Sequence, residues 1–154
     1  MPRGSHSIRI QAPAQAVFDL IHDYDRRLDW DSMLSEARLL SATAGLGARS
    51  RCVGSWKCFW LPIESTYVSY EHGKVAAVKM DNRPLFFDEF AATIRHDDLA
   101  AGESTATYIY HFRAKPRWLG WLFEPIMNAF LNREVKHRLN SLKSYLESAE
   151  IKSS

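Results

Sequence analysis

WLGWLFEPIMNAFLNREVKHRLNSLKSYLE, residues 118–147, is the stretch whose reading decides the fold. Lys115-Pro116-Arg117 breaks the aromatic, strand-like segment before it. From there Leu119, Leu122, Phe123, Ile126, Met127, Phe130, Leu131, Val135, Leu139, Leu142 and Leu146 recur at threes and fours. That spacing stacks them on one stripe of a helix about 45 Å long. Asn128, Asn132, Lys136, Asn140, Lys143 and Glu147 take the opposite face. So long a stripe needs an equally long cover, and the strand-like segments upstream supply it.

Those segments begin with Ile8 and Ile10, which alternate with Ser7, Arg9 and Gln11 until Ala12-Pro13 ends the strand. Pro13 opens a helix whose short stripe is Ala16, Val17, Leu20 and Ile21. Tyr24 to Trp30 reads as a second short helix in which Asp25, Arg26, Arg27 and Asp29 are solvated and Leu28 and Trp30 pack. Beyond Met33 the period becomes two, and strands are predicted at about 36–42, 47–55, 63–72, 74–81, 86–96 and 104–114, with Gly, Pro or charged pairs between them. The fold class is α+β: a seven-stranded, curved antiparallel sheet wrapped around the long C-terminal helix, with two short helices after the first strand. A curled sheet and a helix leave space between them, which is a natural small-molecule site. Below about 300 Å³ such a site holds no drug-sized ligand without rearrangement.

The 154 residues suit one domain, 1–154. Residues 1–6 resemble the remnant of a cleavable tag or a flexible start, although Met1 also fits a natural one, and residues 149–154 read as a flexible tail. Lys plus Arg number 20 against 18 acidic residues, so the charge balance demands neither nucleic acid nor an acidic membrane. Cys52 and Cys58 lack the second pair of a zinc site and read as free thiols. No apolar run reaches the roughly 20 residues that span a bilayer, and no leader is evident at the start, so a cytoplasmic protein without stable membrane insertion is expected. The histidines show no metal spacing, and phosphate-loop, dinucleotide and Gly-x-Ser-x-Gly signatures are absent from the sequence, so neither metal nor cofactor is expected.

Ile8-Arg9-Ile10-Gln11-Ala12-Pro13-Ala14-Gln15-Ala16-Val17-Phe18-Asp19-Leu20-Ile21, followed by Asp23-Tyr24, Asp29-Trp30-Asp31 and the late strand Thr105-Ala106-Thr107-Tyr108-Ile109-Tyr110, resembles the START-like (SRPBCC) superfamily of helix-grip proteins, in its bacterial polyketide cyclase/dehydrase-like branch. The similarity runs from about Ser7 to Ser148. It implies a cavity between sheet and helix for hydrophobic ligands such as lipids, polyketides or isoprenoids, and it implies no single catalytic constellation.

Alternation puts Tyr108, Tyr110 and Phe112 on one face of the last strand and Asp88 with Phe90 on one face of its neighbour. Across from them the helix offers Phe123, Met127 and Phe130. Together with Trp30, Val68, Tyr70, Val78 and Met80 these form the expected ligand-binding set. Asp88, Tyr108, Tyr110 and Arg51 are the candidates for chemistry, a carboxylate for proton transfer, two phenols and a guanidinium to hold an enol or a carboxylate. For each a structural reading stands beside the functional one: packing for the tyrosines, solvent or a salt bridge for Asp88 and Arg51. Trp56, Phe59 and Trp60 make a hairpin too apolar for an ordinary turn, suited to a cavity lid, a membrane contact, a homodimer or a protein partner. Lys136, His137, Arg138 and Lys143 form a basic side of the helix. Three functions follow: carriage of a hydrophobic, ring-containing molecule; a polyketide aromatase/cyclase or dehydratase; or a partner-binding module.

Overall fold

A computed structural model describes residues 2–56 and 60–153, with 149–153 by backbone alone. Phe59 and Cys58 of the Trp-rich hairpin lie outside the described residues.

The seven strands are β1 (Arg3–Ile10), β2 (Leu34–Leu39), β3 (Arg49–Gly54), β4 (Pro62–Glu71), β5 (Val75–Met80), β6 (Phe87–Ala100) and β7 (Glu103–Ala114). They form one antiparallel sheet in the order β1-β7-β6-β5-β4-β3-β2. Between β1 and β2 lie the short helices α1 (Ala14–Ile21) and α2 (Arg27–Trp30), and after β7 the chain turns through a 3₁₀ segment, Arg117–Leu119, into α3 (Gly120–Ser153). This is the helix-grip arrangement that the sequence predicts.

Several details differ from expectation, among them α2, which is confined to Arg27–Trp30, and β6, which runs on to Ala100. Residues 3–6 are the first half of β1, paired with His111 through Tyr108 of β7, because β7, next to the edge and buried under α3, needs a partner along its whole length. α3 continues through Ser153 instead of fraying after Ser148. In α2 Trp30 is buried, but Leu28 is 49 % exposed and Arg27 points inward in its place.

Gly4 shows why the first half of β1 matters. A Cβ at this position would overlap the ring of Tyr110, which is fully buried and hydrogen-bonded to Asn132. The ring has nowhere to move. Gly4→Ala is therefore expected to cost about 1–3 kcal/mol, the usual penalty of overpacking, read as a lower urea midpoint at unchanged m-value.

α1 is anchored from two directions. Its apolar stripe, Val17, Phe18, Leu20 and Ile21, is buried against the sheet, and Asp98 of β6 accepts a hydrogen bond from the Ala14 N–H at 2.9 Å, serving the first turn where Pro13 has no side chain to cap it. Two apolar clusters result. One gathers Phe18, Ile21, Trp30, Tyr67 and Leu142 beneath the short helices; the other gathers Tyr110, Phe112, Leu131, Val135 and Leu139 beneath α3. Both reach Val78 and Tyr108, and between them the packing is incomplete.

Candidate functional site

That gap is a cavity of about 240 Å³, bounded by the concave face of the sheet, the α1–α2 segment and the middle of α3. It equals about eight water molecules' share of liquid volume, room for a one- or two-ring molecule. It falls below the size a larger ligand needs without movement of its walls.

One end of the cavity is apolar. Phe87, Phe90 and Phe86 from β6 and the loop before it face Met127, Phe130 and Leu131 of α3. Phe86 holds a backbone φ of 75°, a region costly for a bulky residue, and with the half-exposed Phe130 it stands at the mouth.

The other end is polar and tightly bonded. Asp31, fully buried, accepts from Arg27 Nε at 2.8 Å, from Arg138 Nε at 3.1 Å and from the Met33 backbone N–H at 3.1 Å. Burial alone would raise its pKa, but Arg138 and Arg27 overcome that and hold the carboxyl below its ordinary range. Both guanidiniums line the cavity, and Asp31 is the only carboxylate among the described residues within ion-pair distance of either. Two cations against one anion leave the wall with a net positive charge. Arg27 also lies over the Trp30 ring and Arg138 over the Tyr108 ring, which fixes both planes.

Beside Arg27 the Tyr67 hydroxyl meets Tyr24 Oη at 2.6 Å and His22 Nδ1 at 2.8 Å. Burial, reinforced by Tyr24, keeps the Tyr67 phenol protonated well above its usual range. His22 is pushed down to about 3 by burial and then by Arg27, so its imidazole is neutral, and its Nε2 is buried with no partner among the described residues. Cys52, also raised by burial, stays a thiol in the same wall.

Behind α1 a second imidazole, His96, is pushed down to about 4 chiefly by burial, and both its ring nitrogens lack hydrogen-bond partners among the described residues. Two histidines that resist protonation when folded have a defined consequence. The unfolded chain binds their protons near pH 6.5, so the stability they contribute is complete above that value and is lost as the pH falls toward 4 and 3. A thermal-melt series should show the midpoint falling steadily from neutral pH to pH 4, with the decline shallower in His96→Gln.

Some of the side chains expected from the sequence lie at this cavity. Val78, Phe90, Tyr108, Met127 and Phe130 all line the cavity. Others lie elsewhere, for local reasons. β6 carries a bulge at Asp88, which turns Phe87 inward and leaves Asp88 outside, between Arg83 and Arg117 at 3.6 and 3.3 Å. A bulge at Val68 does the same in β4: Tyr67 points inward and Val68 is 54 % exposed. Arg51 pairs with Glu64 at 3.7 Å across β3 and β4, outside the cavity lining. Tyr70 packs on Phe18 and Tyr67 beyond the cavity, and Trp30, Met80 and Phe112 are buried without lining it. Phe123 sits one turn too early on α3. Tyr110 lies under the helix and donates to Asn132 Oδ1 at 2.6 Å, which also shows that Asn132 does not belong to a solvated face. Arg138 likewise leaves the basic side of α3 and turns inward.

Sequence alternation missed His22, Tyr24, Arg27, Asp31, Tyr67 and Arg138. One signal for Arg138 was present: it follows Leu131 and Val135 and precedes Leu142 at helical spacing, inside the buried stripe.

The fold has close counterparts. A family model described as polyketide cyclase/dehydrase and lipid transport matches residues 1–147. A START superfamily protein from Mycobacterium smegmatis superposes with a TM-score of 0.80 at 10 % identity, over 96 % of this chain and 98 % of that one. The Zhui aromatase/cyclase from Streptomyces sp. R1128 gives 0.79 at 16 %, over 95 % and 93 %. Norcoclaurine synthase from Thalictrum flavum gives 0.70 at 10 %, over 94 % and 86 %. No curated protein matches at the sequence level.

Proposed function

The chain belongs to the polyketide cyclase/dehydrase and lipid transport family, and on that premise we propose that its cavity binds a compact, ring-containing molecule whose anionic oxygen lies against Arg27 and Arg138. The observation that carries this reading is the unequal charge: two arginines in the wall of a mostly apolar cavity, with the single carboxylate of Asp31 buried behind them. An apolar ring gains by leaving water at the phenylalanine end, and a carboxylate, enolate or phenolate gains charge-assisted bonds at the arginine end. Neither end alone selects such a ligand; the two together do.

Entry of anything larger requires the first turns of α3 to move. Pro125 has no N–H to give the carbonyl one turn back, so these turns are held by fewer backbone bonds than the rest of the helix. Met127 and Phe130 would move with them.

The methionines report occupancy. In ¹³C-methyl spectra 2-naphthoate is expected to shift Met33 and Met127, which line the cavity, and to leave Met80, which does not. Shifts confined to Met80, or none at all, would remove the reading.

A second reading is favoured by the Tyr24–Tyr67–His22 chain of hydrogen bonds beside Arg27. It is the aromatase/cyclase or dehydratase kind of chemistry, with Arg27 stabilising an enolate oxygen and Tyr67, backed by neutral His22, supplying and recovering the proton. Such a role does not run through Asp88, Arg51 or Tyr110, since of the four candidates Tyr108 alone lines the cavity. It requires Tyr67→Phe to abolish aromatic product from a linear poly-β-keto acid while leaving naphthoate binding intact; product formation at the wild-type rate would refute it.

A further inference from the structure

We propose that the end of the molecule bearing the cavity mouth docks on a membrane surface that carries anionic headgroups. This goes beyond ligand binding and does not depend on which ligand is held. Topology collects three connections there: the described residues Ser55, Trp56, Trp60 and Leu61 between β3 and β4, the loop between Met80 and Phe87, and the turn from Ala114 into α3.

Their outward side chains are large and apolar. Trp60, Leu85, Trp118, Trp121 and Ile126 are between 63 % and 76 % exposed. Of the chain's five tryptophans, only Trp30 is buried, and the other four all stand at this end. A soluble monomer gains nothing from so much exposed indole, whereas the ring and N–H of tryptophan suit the headgroup region of a bilayer.

The charges standing among these rings are cationic. Arg83 and Arg117 project into solvent with Lys115 beside them, while each carboxylate at this end is held by a partner, Glu89 by Arg113 among them. Asp88 is tucked between the two arginines, Glu124 accepts from the Ala114 N–H, and Asp81 is held by Thr66 and Arg49. Cations beside indoles complement an anionic interface. They oppose the main alternative, a two-fold dimer through the same patch, which would bring like charges toward one another across the axis. Phe86 and Phe130 at the cavity mouth lie within the patch, so docking would set the mouth against the lipid.

The test is co-flotation with phosphatidylcholine vesicles made with and without phosphatidylglycerol. The wild-type chain is expected to float with the anionic vesicles, at least about tenfold less with the neutral ones, and less as salt is raised. The double variant Trp118→Ser/Trp121→Ser alters only exposed side chains. It should keep its far-ultraviolet circular dichroism and its naphthoate-induced methyl shifts while losing flotation about tenfold or more. Failure to float on anionic vesicles would overturn the inference, as would flotation indifferent to the two tryptophans. A concentration-dependent dimer in sedimentation velocity that the double variant abolishes, with no flotation, would assign the patch to a second copy instead.

Discussion

Asp31→Asn is expected to lower the folding free energy by about 3–5 kcal/mol, the largest effect of any single substitution in this site. Asp31 is the only described carboxylate within ion-pair distance of Arg27 and Arg138, and with only 12 % of each arginine side chain exposed neither guanidinium recovers more than a fraction of its hydration. Asparagine keeps the shape and one acceptor but removes the charge, leaving two cations side by side in a low-dielectric wall. For a chain of this length such a loss lowers the melting temperature by about 6–20 °C. Urea titration at neutral pH checks it. The sign with pH is also fixed: because the folded carboxyl is held below its ordinary pKa, its contribution is present above about pH 4 and is lost as the pH falls through the folded value. Wild type and Asp31→Asn should therefore converge in strong acid, with the histidine losses already complete.

Arg138→Met has the opposite profile. It removes one of the two cations and leaves Arg27 and Asp31 as a balanced pair at 2.8 Å, so the fold should tolerate it far better than Asp31→Asn. Affinity for an anionic ring ligand should fall about 10- to 100-fold, the loss of a charge-assisted hydrogen bond of about 1.5–3 kcal/mol. An uncharged ligand of the same shape should be held about as well as before. Methionine also fills part of the volume beside the Tyr108 ring, so a general collapse of the cavity is not the expected cause of weaker binding.

The contrast between these two substitutions shows what was legible in the sequence. The element order, the long helix and the concave aromatic face of β7 follow from periodicity, which is a property of neighbouring residues. Asp88 and Val68 were misplaced because each sits in a bulge, and one extra residue reverses the face of everything beyond it without any strong local mark. The arginine–aspartate centre was illegible for another reason. Arg27 and Asp31 belong to a short, charge-rich helix that reads as solvated, and Arg138 belongs to a helix 107 residues further along than Asp31. Only tertiary packing brings the three together, and only after they meet does their unequal charge become a recognition feature. Gly4 is the mirror case: it belongs to a segment that resembles an added tag, yet its missing side chain is what lets Tyr110 lie flat beneath α3.

The central claim is that the cavity between the sheet and α3 recognises an anionic oxygen on a compact ring through its excess arginine charge. Calorimetric titration of 2-naphthoate and of 2-naphthylmethanol, each into wild type and Arg138→Met at neutral pH, tests it most directly. The acid should bind wild type at least about tenfold tighter than the alcohol, a difference of about 1.4 kcal/mol, and the preference should disappear in the variant. Equal affinities for acid and alcohol in the wild-type chain, or a preference for the acid that survives Arg138→Met, would contradict it.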